Sequence, residues 1–336
     1  MPDNHTDLLP LRTLPAPRRI LDSQRTHHNR HIAVIGATGY IGSAVLTHLT
    51  TLGVQCTAVV RKPHLLASST TRVATADLDD PASLRRALDG ADTIIHAASY
   101  IGPDPTLCEK SNTVGAQHVV EAAAEVGIQN IVYISTVGVY GLGPHTNATE
   151  NTLVPAPVTA ASATKLAAET IIRRVSGVVI RPTFVYGGET SPFLTGLATI
   201  TTNLGSWVNN GSARISVISV HDLASAIAAA TLRHDFPSGQ TLHIAHPDPV
   251  TIHDLVNLLA QRGMTITPKT NLTFDDATEL AITQGIPTRV IDLVGHDHWY
   301  DPTGIWSITK LSPTRLQPIW YRPEPTRTAN QSTTSD

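Results

Sequence analysis

From residue 31 to residue 182 the chain alternates short apolar runs with stretches of helical period. Ile32–Ile35, Val54–Val60, Val73–Ala76, Thr93–Ala97, Ile131–Ser135 and Val178–Ile180 are β-branched and apolar at consecutive positions. That is the pattern of strands covered on both faces, not of strands with one wet side. Between them Ile41, Val45, Leu49 and Leu52 recur at helical spacing and stop at Gly53, a residue suited to a left-handed C-terminal cap. Pro81–Leu88 opens on proline, which a first turn tolerates, and stops just before Gly90. Asn112–Val126 and Ser162–Val175 predict two longer helices. Strand–helix alternation with short links predicts right-handed crossovers and a doubly wound α/β fold with a parallel sheet.

After Arg181 the pattern loosens. Thr183–Asn210 mixes glycines and threonines around Trp207, Arg214–Val220 reads as a strand, and Leu223–Arg233 reads as a helix. Gln240–Ala245 predicts one more sheet strand and Val250–Arg262 a helix, while Thr265–Trp320 is the least legible stretch. The expected organisation is a sheet domain over 31–182 plus about 236–260. A smaller C-terminal lobe over 183–235 and 261–322 closes over the carboxyl ends of the strands, where open α/β sheets bind ligands. Residues 1–30, with four prolines and no sustained period, and 323–336, rich in Thr, Ser and Pro, are expected to be flexible tails.

Composition narrows the class. Hydrophobic residues make up 41% and charged residues 15%, enough for a real core. With 24 basic and 27 acidic residues the net charge is −3, which disfavours nucleic acid as a partner. Cys56 and Cys108 cannot frame a disulfide scaffold and suit a reducing compartment. No apolar run reaches the ~18 residues of a membrane span, and the N-terminus shows no signal-peptide pattern. The expectation is a cytoplasmic protein without a membrane partner.

The first strand runs directly into Gly36-Ala37-Thr38-Gly39-Tyr40-Ile41-Gly42, which opens a helix. Gly36 permits a tight turn, Gly39 lets the backbone approach a pyrophosphate, and Gly42 lets helix and strand pack closely. Thr38, Tyr40 and Ile41 share the turn and the helix start, where free N–H groups and the positive dipole end favour an anion. This is the strand–turn–helix setting that a Rossmann-type dinucleotide turn requires. The second strand then ends on Arg61-Lys62, where a NAD(H) site would place an acidic residue on the ribose hydroxyls. A guanidinium there would pair with a 2′-phosphate, so the cofactor expected is NADP(H); the plain alternative is a solvated pair of cations. Asp77-Leu78, closing the third strand, would contact the adenine or else cap the following turn.

With His96-Ala97-Ala98-Ser99, Asn112 with Gly115, Tyr133-Ile134-Ser135-Thr136 before Val139-Tyr140-Gly141, Lys165 with Glu169, and Arg181-Pro182-Thr183-Phe184-Val185-Tyr186-Gly187, these motifs resemble the extended short-chain dehydrogenase/reductases over about 31–325. The resemblance implies cofactor contacts at Ala97, Ala98, Ser99, Lys165 and Pro182, with Thr136 on the substrate oxygen and Lys165 on the nicotinamide ribose. It also implies an acid/base tyrosine four residues before that lysine, and position 161 is Ala161. None of the seven tyrosines has lysine four places on. A positioned general acid contributes ~10²–10⁴-fold, so another group must serve the oxyanion. The hydroxyls of Ser99, Ser135 and Thr136, the phenols of Tyr100 and Tyr186, and an acidic hydroxyl on the substrate itself are the candidates.

Ala97–Gly102, Pro155–Val158 and Ala161–Glu169 further resemble the tyrosine-lacking angucyclinone ketoreductases of actinomycete polyketide pathways. That narrower resemblance implies NADPH reduction of an aromatic polyketide ketone, assisted by a neighbouring phenol of the substrate. Two other readings stand beside it: a nucleotide-sugar reductase or epimerase, against which Ala161 counts, and a non-catalytic NADP(H)-binding sensor, which would have no reason to retain Thr136 and Lys165. Many relatives dimerise through helices corresponding to 112–126 and 162–175, so a homodimer is expected from the resemblance alone. Gly295-His296-Asp297-His298 invites a metal reading, but its spacing matches no common zinc motif, and no metal is expected.

Overall fold

The computed structural model describes residues 30–62, 71–187 and 191–314. The expected tails, Arg30 apart, and the last residues of the expected lobe lie outside them. In chain order the elements are β1 (His31–Ile35), α1 (Tyr40–Thr51), β2 (Gln55–Val60), β3 (Arg72–Thr75), α2 (Pro81–Leu88), β4 (Thr93–His96) and the short α3 (Pro105–Cys108). A π-helical segment, Glu109–Val114, leads into α4 (Gly115–Val126), so the helix expected from Asn112 starts earlier and irregularly. Then follow β5 (Asn130–Ile134), β6 (His145–Ala148), α5 (Ala160–Arg174) and β7 (Val178–Pro182).

The second half holds β8 (Phe184–Tyr186), α6 (Pro192–Leu204), β9 (Ser206–Val208), β10 (Arg214–Ile215), β11 (Val217–Ser219), α7 (Val220–Leu232) and β12 (Thr241–Ile244). After them come β13 (Val250–Thr251), α8 (Ile252–Gln261), β14 (Thr270–Leu272), α9 (Phe274–Thr283), α10 (Thr288–Gly295), β15 (His298–Tyr300) and α11 (Thr303–Thr309). Among the described residues no helix is long and apolar enough to cross a membrane.

Seven strands form one parallel sheet ordered β3-β2-β1-β4-β5-β7-β12, the doubly wound α/β fold that the apolar runs predict. Growth of the sheet reverses at β1, which opens a crevice between the carboxyl ends of β1 and β4. One face is covered by α1 and α7, with Val45 and Leu49 meeting Leu223 and Ile227, and α11 adds Ile305. The other face is covered by α2, α4 and α5 through Leu84, Leu88, Val119, Ala123 and Ile172.

Packing redraws the expected lobe boundary. The alanine-rich α7 lies on the main sheet rather than in the lobe, because its small side chains seat it closely against α1. Conversely, α8 leaves the sheet domain, since Ile252, Leu255, Val256 and Leu259 bury themselves with Leu194, Leu197, Ile215 and Ile291 in a separate lobe core. The single strand expected over Arg214–Val220 is two, β10 joining a four-stranded sheet β13-β10-β15-β6 and β11 pairing with β8. The loosely patterned Thr183–Asn210 contains α6, started by Ser191, whose Oγ accepts the Leu194 N–H at 3.3 Å, and by Pro192 in the first turn.

Candidate functional site

A groove of about 710 Å³ runs along the carboxyl ends of β1, β2, β4 and β5, within the size range of small-molecule sites. The glycine turn makes its floor. Gly36 has φ +84, and a Cβ there would stand 2.5 Å from the Ala98 backbone nitrogen; the exits of β1 and β4 therefore meet backbone to backbone. A Cβ on Gly42 would fall 2.2 Å from the Gly36 carbonyl oxygen, so α1 is held against its strand by the missing side chain. Gly39 is the N-cap residue of α1, no side chain caps it, and the first turn carries no acid. The first amides and the positive end of the helix are thus left for an anion. A cradle that side chains would fill, ending at uncapped amides, fits the pyrophosphate of a dinucleotide.

Thr38, Tyr40 and Ile41 line this floor, and Arg61, Asp77 and Leu78 line the end beyond β2 and β3. Arg61 is exposed at the tip of β2. At the other end the walls are Ala97, Ala98, Ser99, Tyr100, Ser135, Thr136 and Lys165. Gly42, Lys62 and Pro182, expected as cofactor contacts, are not brought to the groove. Gly42 is spent on packing, Lys62 is exposed outside the lining, and Pro182 is buried at the end of β7 beside Ile244.

A capping box starts α5: Thr159 Oγ1 accepts the Ser162 N–H at 3.1 Å and Ser162 Oγ accepts the Thr159 N–H at 3.2 Å. Ala161 therefore lies in the first turn and Lys165 one turn further on. The Lys165 Nζ donates to the Ile134 carbonyl at 2.9 Å. Burial pushes its ammonium down to about 8, opposed by the Glu169 carboxylate.

The two candidate hydroxyls at the end of β5 differ. Ser135 Oγ donates to Glu169 Oε1 at 2.5 Å, so its proton is committed, which corrects the expectation of Ser135 as an oxyanion donor. Thr136 Oγ1 accepts the Gly138 N–H at 3.0 Å, which leaves its O–H to donate. Tyr100 has its backbone clamped by Asn112, which accepts its N–H and donates to its carbonyl, each at 2.9 Å. Its phenol lies over Gly102, where a Cβ would come within 2.3 Å of the hydroxyl oxygen. Asn112 also donates to Thr164 Oγ1 at 3.0 Å, tying the β4 exit to α5. Tyr186, the other phenol considered, is buried in the lobe core.

Beyond the groove lies a second chamber of about 380 Å³ that shares Ile101, Thr136 and Lys165 with it. Ala161 lines this chamber, so the position four residues ahead of Lys165 faces the space where groove and chamber meet. Ile101, Leu142 and Val158 give it an apolar, exposed rim, and Asp292, His298 and Tyr300 supply polar walls. Sequence reasoning weighed His298 only within a metal run and did not name Asp292 or Tyr300 as site residues. One signal was present: Asp292 and His296 stand four apart on one face of α10 and its cap, and His296 Nδ1 approaches Asp292 Oδ1 at 2.7 Å.

Three comparisons bear on this geometry. A family model described as "NAD dependent epimerase/dehydratase family" matches residues 32–245. A 4-hydroxy-2-methyl-3-oxo-4-farnesyl-3,4-dihydroquinoline-1-oxide ketoreductase of Stigmatella aurantiaca is 27% identical over 241 residues, 68% of this chain and 72% of that protein. Among solved structures, gox2253 superposes with a TM-score of 0.71 at 23% identity, covering 85% of this chain and 94% of the other. The UDP-glucuronic acid 4-epimerase from Bacillus cereus, in complex with NAD, does so with a TM-score of 0.67 at 20% identity, covering 86% and 95%. At these identities the structural likenesses speak for the fold.

Proposed function

The chain belongs to the NAD dependent epimerase/dehydratase family and is an NAD(P)-dependent oxidoreductase; from that premise we propose that it is an NADPH-dependent ketoreductase acting on an aromatic polyketide ketone whose own neighbouring hydroxyl supplies the proton. The observation that carries this reading is Ala161, which lines the chamber beside Thr136 and Lys165, so that α5 presents a methyl group there and no phenol. The relative from Stigmatella supports the ketoreductase part of the reading, since its name states reduction of a ring ketone. The apolar rim of Ile101, Leu142 and Val158 suits a flat ring system better than a sugar.

When bound, NADPH supplies a hydride to the carbonyl carbon. The chain's own part is binding and orientation. The glycine turn and the amides of α1 hold the pyrophosphate, Arg61 holds the 2′-phosphate, and Lys165 holds the ribose. The Thr136 O–H donates to the carbonyl oxygen, where charge develops. The hydroxyl beside that carbonyl then passes its proton across within the substrate.

The test is NADPH oxidation with a panel of angucyclinone and anthraquinone ketones. Turnover is expected only where a hydroxyl lies ortho or peri to the carbonyl; equal turnover of ketones lacking one overturns the reading. For the cofactor, Arg61→Ala is expected to weaken NADPH by ~10-fold or more, the lower range for a charged hydrogen bond at an exposed residue, and to leave NADH nearly unchanged. Titration of both cofactors by fluorescence checks it, and equal weakening sinks the 2′-phosphate assignment.

A further inference from the structure

The polar wall of the chamber is organised around one carboxylate. His298 Nε2 hydrogen-bonds the Asp292 backbone carbonyl at 3.3 Å and lies 3.1 Å from Asp292 Oδ2, and that carboxylate oxygen also accepts the Gly143 N–H at 3.0 Å. His296 Nδ1 approaches the other oxygen at 2.7 Å. Burial pushes the Asp292 carboxyl up, but the hydrogen bonds from His298, Gly143 and His296 outweigh it and hold the group far below the usual carboxylate range. The Asp292 backbone carbonyl and its ionised carboxylate only accept, so Nε2 of His298 carries the proton, and the tautomer of the imidazole is set. Among the described residues the hydrogen bond of the ring is made by Nε2 and none by Nδ1, and His298 lines the chamber.

We propose that His298 is the chamber's proton-exchanging residue, supplying the substrate's hydroxyl oxygen with a new proton in place of the one that hydroxyl has given to the reduced carbonyl oxygen. The role rests on the ketoreductase reading above. The step is a proton transfer alone. The Nδ1–H bond of the imidazolium breaks, an O–H bond forms on the phenolate, the electron pair stays on Nδ1, and water restores the proton. Asp292 is the positioning residue, fixing the ring and its tautomer. The other charged and titratable groups on the chamber wall or packed on His298 are the exposed Arg289 of α10, His145 on β6, whose ring packs edge-on with centroids 5.2 Å apart, and Tyr300 on β15, whose hydroxyl is bonded to His145 at 2.9 Å. From β10, Arg214 is turned to Asp297 at 3.1 Å.

The test compares the full-length protein with His298→Asn and Asp292→Asn. A peri-hydroxyanthraquinone is bound in the presence of NADP⁺ and its phenol titrated by absorbance, and kcat and KM are measured on hydroxylated ketones. In His298→Asn the phenol's ionisation constant is expected to weaken ~10-fold. Its kcat is expected to fall ~10²-fold, the lower end of a positioned acid's contribution, with KM within roughly threefold of the parent. Unchanged ionisation together with unchanged kcat overturns the role. Should His298→Asn fail to fold, Asp292→Asn decides by the same two readouts. A parent that reduces no ketone sinks the ketoreductase reading and this role with it; an active parent matched by both variants sinks the role of His298 alone.

Discussion

Glu169→Gln is expected to destabilise the protein by about 3–5 kcal/mol, the range for breaking a buried ion pair while leaving one charge in place. Glu169 is fully buried. Its carboxylate accepts from Arg181 Nε at 2.9 Å and Nη2 at 2.6 Å, from Arg173, and from Ser135 Oγ at 2.5 Å. Arg181 is 3% exposed and, among the described residues, its other partner is Tyr140, whose hydroxyl accepts from it at 2.7 Å and whose ring centroid lies 4.8 Å from the guanidinium. Glutamine keeps the volume and removes the charge, so a buried guanidinium loses its counterion, whereas Arg173, partly exposed, can turn to water. At ~2–4 °C per kcal/mol for a domain of some hundreds of residues, the melting temperature should drop by roughly 6–20 °C. A second readout separates this from plain loss of packing. Glu169 opposes the burial that lowers Lys165 to about 8, so its removal should move the Lys165 titration further down and weaken NADPH binding at neutral pH. A melting temperature within about two degrees of the parent would mean that Arg181 is stabilised by something other than this carboxylate.

That network also marks the limit of what the sequence discloses. The strand runs and the glycine turn are legible because each is local. A short, β-branched apolar run bounded by turn residues reads as a strand covered on both faces, and Gly36, Gly39 and Gly42 lie within seven residues of one another. Lys165 is legible for the same reason, as one residue on one helix face. The fate of the Ser135 proton is not, since its acceptor stands on another element and only the fold brings them to 2.5 Å. The lobe is opaque on different grounds. Its strands span two to four residues, too short to show alternation, and Ser216 interrupts β10 and β11 without a turn signal. The sheet that carries His298 pairs residues from four distant stretches. Even α7, correctly expected as a helix, carries alanines on its buried sides, and a surface of small side chains does not say which neighbour it fits.

Ala161→Tyr is expected to raise turnover of ketones that carry no hydroxyl by ~10²–10⁴-fold, the contribution of a positioned general acid. One turn of α5 separates residue 161 from Lys165, and both line the chamber with Thr136. A phenol there would stand beside an ammonium, which favours its ionised form and brings its proton within use near neutral pH. The same side chain would take up much of a chamber of only about 380 Å³, so large polycyclic ketones that bring their own hydroxyl should bind more weakly and turn over more slowly. Steady-state kinetics on one small ketone without a hydroxyl and one hydroxylated polycycle, with NADPH affinity measured alongside, reads both effects. The opposed directions are what give the experiment force, since simple damage to the site lowers both rates and simple relief of strain raises both. If NADPH binds normally and the small ketone remains unreduced, the phenol at 161 is not the missing element, and proton delivery must then be fixed by the His298 wall or by Thr136 rather than by what α5 presents.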